Sequence, residues 1–67
     1  MGAAVRRLRE SRSITREVLA FHAGITTGSL ARIELAQSVP GWDTVRGIAK
    51  ALEVSLVELA RAVEAET

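Results

Sequence analysis

The sequence predicts an all-α fold of five short helices, and three observations carry that prediction. Between Thr15 and Leu35, apolar residues recur at helical spacing in two short runs hinged on Gly24. Threonine or serine stands where three of the helices begin, at Thr15, Thr26 and Ser55. The last of these starts is reinforced by Glu58, three residues on, which completes a capping box.

Taken in order, the first helix occupies about residues 3–12, with Val5 and Leu8 inward and Arg6, Arg7 and Arg12 in solvent. It ends near Ser13, where a left-handed residue costs on the order of 1 kcal/mol if it is not glycine. The second fills residues 16–23 behind Thr15 and buries Leu19, Ala20 and Ala23. Gly24 stops it, because the residue that satisfies the last carbonyls commonly needs a positive φ. Thr26 caps the third helix, residues 27–35, whose inner stripe is Leu30 and Ile33. The run from Ala36 to Gly41 reads as a loop punctuated by Pro40 and Gly41. A fourth helix spans 42–52, with Trp42, Val45, Ile48, Ala49 and Leu52 as its apolar stripe. Gly47 inside it costs roughly 1 kcal/mol relative to alanine, so it marks a close backbone approach or a tolerated weak point. The fifth helix, 56–64, carries Leu56, Leu59, Ala60 and Val63, and the chain is expected to fray beyond Val63. All 67 residues are read as a single domain with no repeat, linker or low-complexity segment.

The two helices joined at Gly24 have the layout of a helix-turn-helix, a shape that fits a DNA major groove. At these residues the chain resembles a known family: Ala20-x3-Gly24-x5-Leu30 is similar to the core pattern of the lambda-repressor-like (Cro/C1-type, XRE) helix-turn-helix domains. Val5-x2-Leu8-Arg9 looks like that family's first helix, Ile14-Thr15-x3-Leu19-Ala20 its second, and Ile33-Glu34 the end of its third. Pro40 to Val45, then Ile48-Ala49-x2-Leu52-Glu53-Val54-Ser55, looks like the fourth helix and the turn into the fifth. The resemblance covers about residues 4–60 and implies a compact five-helix DNA-binding fold. Ser13 and Ala36 stand where the family usually or often has glycine.

Composition bounds the rest. A chain of 67 residues buries only roughly 60% of its unfolded surface, so its core is modest. It has no cysteine, so neither a disulfide nor a thiolate metal site can form, and no metal or cofactor is expected. No stretch approaches the ~20 apolar residues of a membrane span. Met1 to Val5 is too short for a signal peptide, and Arg6 stands where a myristoylation signal needs Ser or Thr. The expected location is the cytoplasm, on the nucleoid when DNA is bound.

Net charge is only +1, but it is unevenly placed. Up to Lys50, eight cationic side chains face four carboxylates, a balance of +4; from Ala51 onward Arg61 faces four glutamates, a balance of −3. A basic body with an acidic tail suits one side built for phosphate. The same numbers also fit ordinary fluctuations over a solvated surface.

A helix-turn-helix sets the start of its second helix against base edges, which places Thr26, Thr27, Gly28, Ser29 and Arg32 in the groove. The resemblance carries base contact onto Thr27, Gly28 and Arg32. Arg32 can fork onto guanine O6 and N7, worth about 1–3 kcal/mol of discrimination, or pair with a local glutamate on the surface. Thr27 can touch a thymine methyl or serve the helix cap. Gly28 makes no side-chain contact; it lets the backbone approach the duplex, or leaves preference there to DNA shape. Phosphate contacts are read at Thr15, Arg16, Thr26, Ser38 and Trp42. Arg16 holds a position where the family frequently has a backbone-binding glutamine. Trp42 has a rival role in the core, with its N–H partnered at the edge. The resemblance implies a partly buried ion pair between Arg9 and Glu34, which fixes the recognition helix at its docking angle.

Val18 and Phe21 lie opposite the inner face of their helix, where the family usually carries polar residues. They are a chance apolar spot or a contact surface for a partner protein or a second subunit. Val57 is the more conventional dimer seam, since family members often pair through their last helices. Two-fold pairing sets recognition helices ~34 Å apart and predicts a palindromic operator. Catalysis finds no support: His22 is the only histidine, and no nucleophile with a base can be assembled around it. The function expected is that of a sequence-specific transcriptional regulator, repressor or controller in type, dimeric on double-stranded DNA. The alternative is an antitoxin-like or adaptor module that uses the Val18/Phe21 face.

Overall fold

In the computed structural model, which describes residues 1–66, five helices follow one another: α1 (Gly2–Ser11), α2 (Arg16–Ala23), α3 (Thr27–Glu34), α4 (Trp42–Ala51) and α5 (Leu56–Glu64). Three of the five starts follow hydroxyl residues. The side-chain oxygens of Thr15, Thr26 and Ser55 accept from the backbone N–H of Val18, Ser29 and Glu58. The Glu58 carboxylate in turn accepts from the Ser55 N–H, and that bond, with the Ser55 hydroxyl beside it, holds the carboxyl below the ordinary carboxylate range.

The exits explain why α1, α3 and α4 each stop one residue earlier than their apolar spacing predicts. After α1, α2, α3 and α4 the chain turns through a left-handed residue: Ser13 (φ 54°), Gly24 (φ 77°), Ala36 (φ 60°) and Glu53 (φ 59°). In each case the next residue's N–H reaches back five positions, as Ile14 to Arg9 O, Ile25 to Ala20 O, Gln37 to Arg32 O and Val54 to Ala49 O. This is the Schellman closure, which satisfies carbonyls that would otherwise be orphaned. Only one of the four uses glycine. The exit from α3 therefore keeps the left-handed geometry without the residue that makes it easy.

The core joins all five helices and the α4–α5 turn through Val5, Leu19, Ala20, Leu30, Ile33, Ile48, Ala49, Leu52, Val54 and Leu59. Gly47 is a close approach: a Cβ built there would stand 2.7 Å from the carbonyl oxygen of Ala23, at the crossing of α4 and α2. Likewise, a Cβ on Gly2 would collide with the carbonyl oxygens of Ile33 and Glu34, where α1 meets the end of α3.

Two stretches depart from their predicted stripes. Trp42 is 63% exposed rather than buried, and its side chain lines an open groove beside α5 instead of entering the core. In α5 only Leu59 is fully inside; Leu56 and Ala60 line an open apolar groove with Met1, Trp42, Val45 and Val63. Beyond Val63, Glu66 is tied down rather than frayed, while Thr67 lies outside the described residues. The Glu66 carboxylate accepts from the Met1 amino group at 2.7 Å and from the Ala4 N–H, which holds its carboxyl below the usual range. No helix among the described residues is long and apolar enough to cross a membrane.

Candidate nucleic-acid interface

The packing of α3 separates its two sides. Leu30, Ile33 and Glu34 are buried, while Thr27, Gly28 and Arg32 are exposed and Ser29 lies between. Among the described residues, nothing beyond its chain neighbours and its own helix backbone stands within 4 Å of a Cβ built on Gly28, so the surface there is open. The three hydroxyl and guanidinium groups along this side are linked. Thr26 Oγ1 donates to Ser29 Oγ at 3.0 Å, and Arg32 Nη2 donates to the same oxygen at 3.4 Å. Ser29 Oγ thus joins Thr26 to Arg32 along the outer side of the helix. Arg32 forms no ion pair among the described residues, so the glutamate partner that a surface role requires is missing.

Behind α3, Glu34 anchors the inner side. Its carboxylate is fully buried, accepting from Arg9 Nε at 2.7 Å and from Arg9 Nη2 at 3.2 Å. Arg9 spends its remaining terminal nitrogen on the Ile14 carbonyl at 3.0 Å. The bonds to Glu34 push the Arg9 guanidinium above its ordinary value against the opposing effect of burial. This fork ties α1 to the end of α3. Sequence reasoning missed the third member of the group: Arg16 Nε donates to Glu34 Oε1 at 3.1 Å. Arg16 is read from the sequence as a phosphate ligand alone, and its partner lies 18 residues away, beyond any local spacing rule. It keeps 37% of its side chain in solvent.

The other sequence-derived positions are dispersed around this centre. Thr15 and Thr26 are exposed at the starts of α2 and α3, with their oxygens engaged as caps. Ser38 is exposed in the α3–α4 loop, and Trp42 is exposed at the start of α4. Val18 (47% exposed) and Phe21 (79%) do form an uncovered apolar spot on α2, with the Phe21 ring edge-on to His22 at 5.4 Å. Val57 is exposed on α5, at 60%. Among the described residues no group of three or more His, Asp or Glu side chains is placed to hold a metal ion.

The fold is shared with several solved structures. The clp gene regulator ClgR from Corynebacterium glutamicum superposes with a TM-score of 0.92 at 21% identity, over 98% of this chain and 86% of that one, a likeness of fold. The restriction-modification controller protein C.AhdI from Aeromonas hydrophila matches at 28% identity and TM-score 0.84, over 87% and 88% of the two chains. ComR from S. thermophilus shares 39% identity over 87% of this chain with a TM-score of 0.80, but the match spans only 20% of ComR. No curated protein matches the chain. A family model described as a helix-turn-helix domain matches residues 1–62. With that model spanning nearly the whole sequence and C.AhdI matched over most of both chains, the chain belongs to the helix-turn-helix domain family in its lambda-repressor-like form.

Proposed function

We infer that the chain is a DNA-binding transcriptional regulator whose third helix enters the major groove of double-stranded DNA. The observation that carries this reading is the two-sidedness of α3: an anchored inner side, and an outer side with Thr27, Gly28 and Arg32 bare. Thr27, Gly28, Ser29 and Arg32 then face base edges, and Arg32 without an internal carboxylate partner can fork onto a guanine. Thr15, Arg16, Thr26, Ser38 and Trp42 lie toward phosphates, through helix-start N–H groups, hydroxyls, the indole N–H and one guanidinium. The family, and a controller protein matched over most of both chains, support a regulator rather than an enzyme or a protein-interaction module on the Val18/Phe21 face.

The finer reading is a homodimer in the cytoplasm, paired through α5, where Leu56 and Val57 are exposed beside the Trp42 groove. Two copies related by a two-fold axis read a palindrome with half-sites about one helical turn apart.

The test is selection from random duplexes at two salt concentrations, followed by anisotropy titration. An enriched palindrome bound more weakly as salt rises is the expected result. Arg32→Ala should relax preference at one base pair per half-site by about 1–3 kcal/mol, and Phe21→Glu should leave binding intact. Failure to enrich any sequence at low salt would remove the reading.

A further inference from the structure

Two arginines share one buried carboxylate, and they spend themselves differently. Arg9 is 11% exposed and uses Nε, Nη1 and Nη2 inside the protein. Arg16 uses Nε alone; no other side-chain hydrogen bond from it is formed among the described residues, and 37% of its side chain meets solvent. A guanidinium held through Nε keeps its far edge, Nη1 and Nη2, free and fixed in direction, and that edge matches two oxygens of one phosphate. Charge counting points the same way. Two cations on a single carboxylate leave one positive charge uncompensated, and the excess sits on the exposed partner. Arg16 is also the first residue of α2, where first-turn N–H groups are left without helical partners and favour an anion.

Resting on the DNA-binding reading above, we propose that Glu34 is a positioning residue for DNA. Its buried carboxylate aims Arg16 at one backbone phosphate while its bonds to Arg9 seat α3. The recognition helix and the phosphate clamp therefore share an anchor, and the register between them is set inside the protein before DNA arrives. Lysine at position 16 can supply the charge but not the aim, because its ammonium is a point charge on a flexible stem and lacks the planar fork that binds two phosphate oxygens while Nε is held by Glu34.

The experiment titrates the selected duplex with wild type, Arg16→Ala, Arg16→Lys and Glu34→Gln. Each is measured across a salt series, with thermal melts run on the same samples. A parallel series replaces single phosphates with uncharged methylphosphonate. Wild type should lose about tenfold in affinity at one phosphate position for each bound copy, and Arg16→Ala should be indifferent there. Arg16→Ala should also flatten the slope of log K against log salt by about 0.9 for each bound copy. Arg16→Lys should keep the slope and still bind more weakly. Where Glu34→Gln folds, combining it with Arg16→Ala should weaken binding less than the two separate losses multiplied; where it does not fold, the Arg16→Lys result decides. Wild-type affinity in Arg16→Lys overturns positioning, and an unchanged slope and methylphosphonate pattern in Arg16→Ala makes Arg16 a structural partner only. If wild type binds no duplex at low salt, the DNA reading falls first, a result distinct from either of these.

Discussion

The crossing of α2 over α4 and the outer side of α3 each carry a glycine within a helix, in opposite surroundings. At Gly47 an added Cβ would stand 2.7 Å from the Ala23 carbonyl oxygen, backbone that cannot turn aside as a side chain can. At Gly28 the same Cβ would meet nothing within 4 Å. Both glycines weaken their helices by up to about 1 kcal/mol relative to alanine. Packing accounts for the first and leaves the second without a reason inside the protein. The difference separates residues that make the fold from residues that face something else.

The largest effect that sharpens this division is expected at the anchored side of α3. Glu34→Ala strands the Arg9 guanidinium at 11% exposure and takes a partner from Arg16, which should cost roughly 3–5 kcal/mol of stability. Arg32→Ala, on the bare side of the same helix, should melt close to wild type. A denaturant titration of the two variants measures the contrast, and equal midpoints would abolish it. Next comes Gly47→Ala. Overpacking typically costs about 1–3 kcal/mol and improved helix propensity returns part of it, leaving a net loss of about 1 kcal/mol, up to 2. A neutral result would mean that α4 can slide away from α2 at little expense.

A smaller change should go the other way at the exit from α3. Ala36 holds φ at 60°, a conformation that costs a residue with a Cβ about 1–2 kcal/mol. Glycine there relieves that strain but gives the unfolded chain more freedom, worth about 0.4–1 kcal/mol. Ala36→Gly should therefore stabilise by about 0.5–1 kcal/mol, read as a rise in the urea midpoint with the slope unchanged.

The same exits show where sequence reasoning reaches and where it stops. Helix order, the hydroxyl caps at Thr15, Thr26 and Ser55, and the turn at Gly24 are local signals, each decided within about five residues. The left-handed turns at Ala36 and Glu53 carry no such signal, since neither residue favours that conformation; the packing of the next helix imposes it. Trp42 satisfies the apolar period of α4 and still lies outside, because periodicity gives a direction from the helix axis and not whether a neighbour reaches that far. At the interface, the exposed positions of α3 follow from its period. The Arg16–Glu34 bond and the pinning of Glu66 to α1 span 18 and 62 residues and exist only once the chain has closed on itself.

A change in stability as small as that at Ala36 is expected at Gly28, and it discriminates most. Alanine there meets open space and improves the propensity of α3, so Gly28→Ala should raise stability by about 0.5–1 kcal/mol. If the glycine is present so that the backbone can approach the duplex, the same methyl group must stand in the way. Affinity for the selected duplex should then fall while the protein becomes harder to unfold. Opposite movement in one variant cannot come from damage to the fold, which would lower both quantities together. Urea unfolding and anisotropy titration of a single preparation give the two signs. A more stable protein that binds as tightly as before would show that the duplex keeps its distance at this position and that α3 reads DNA with its neighbours alone.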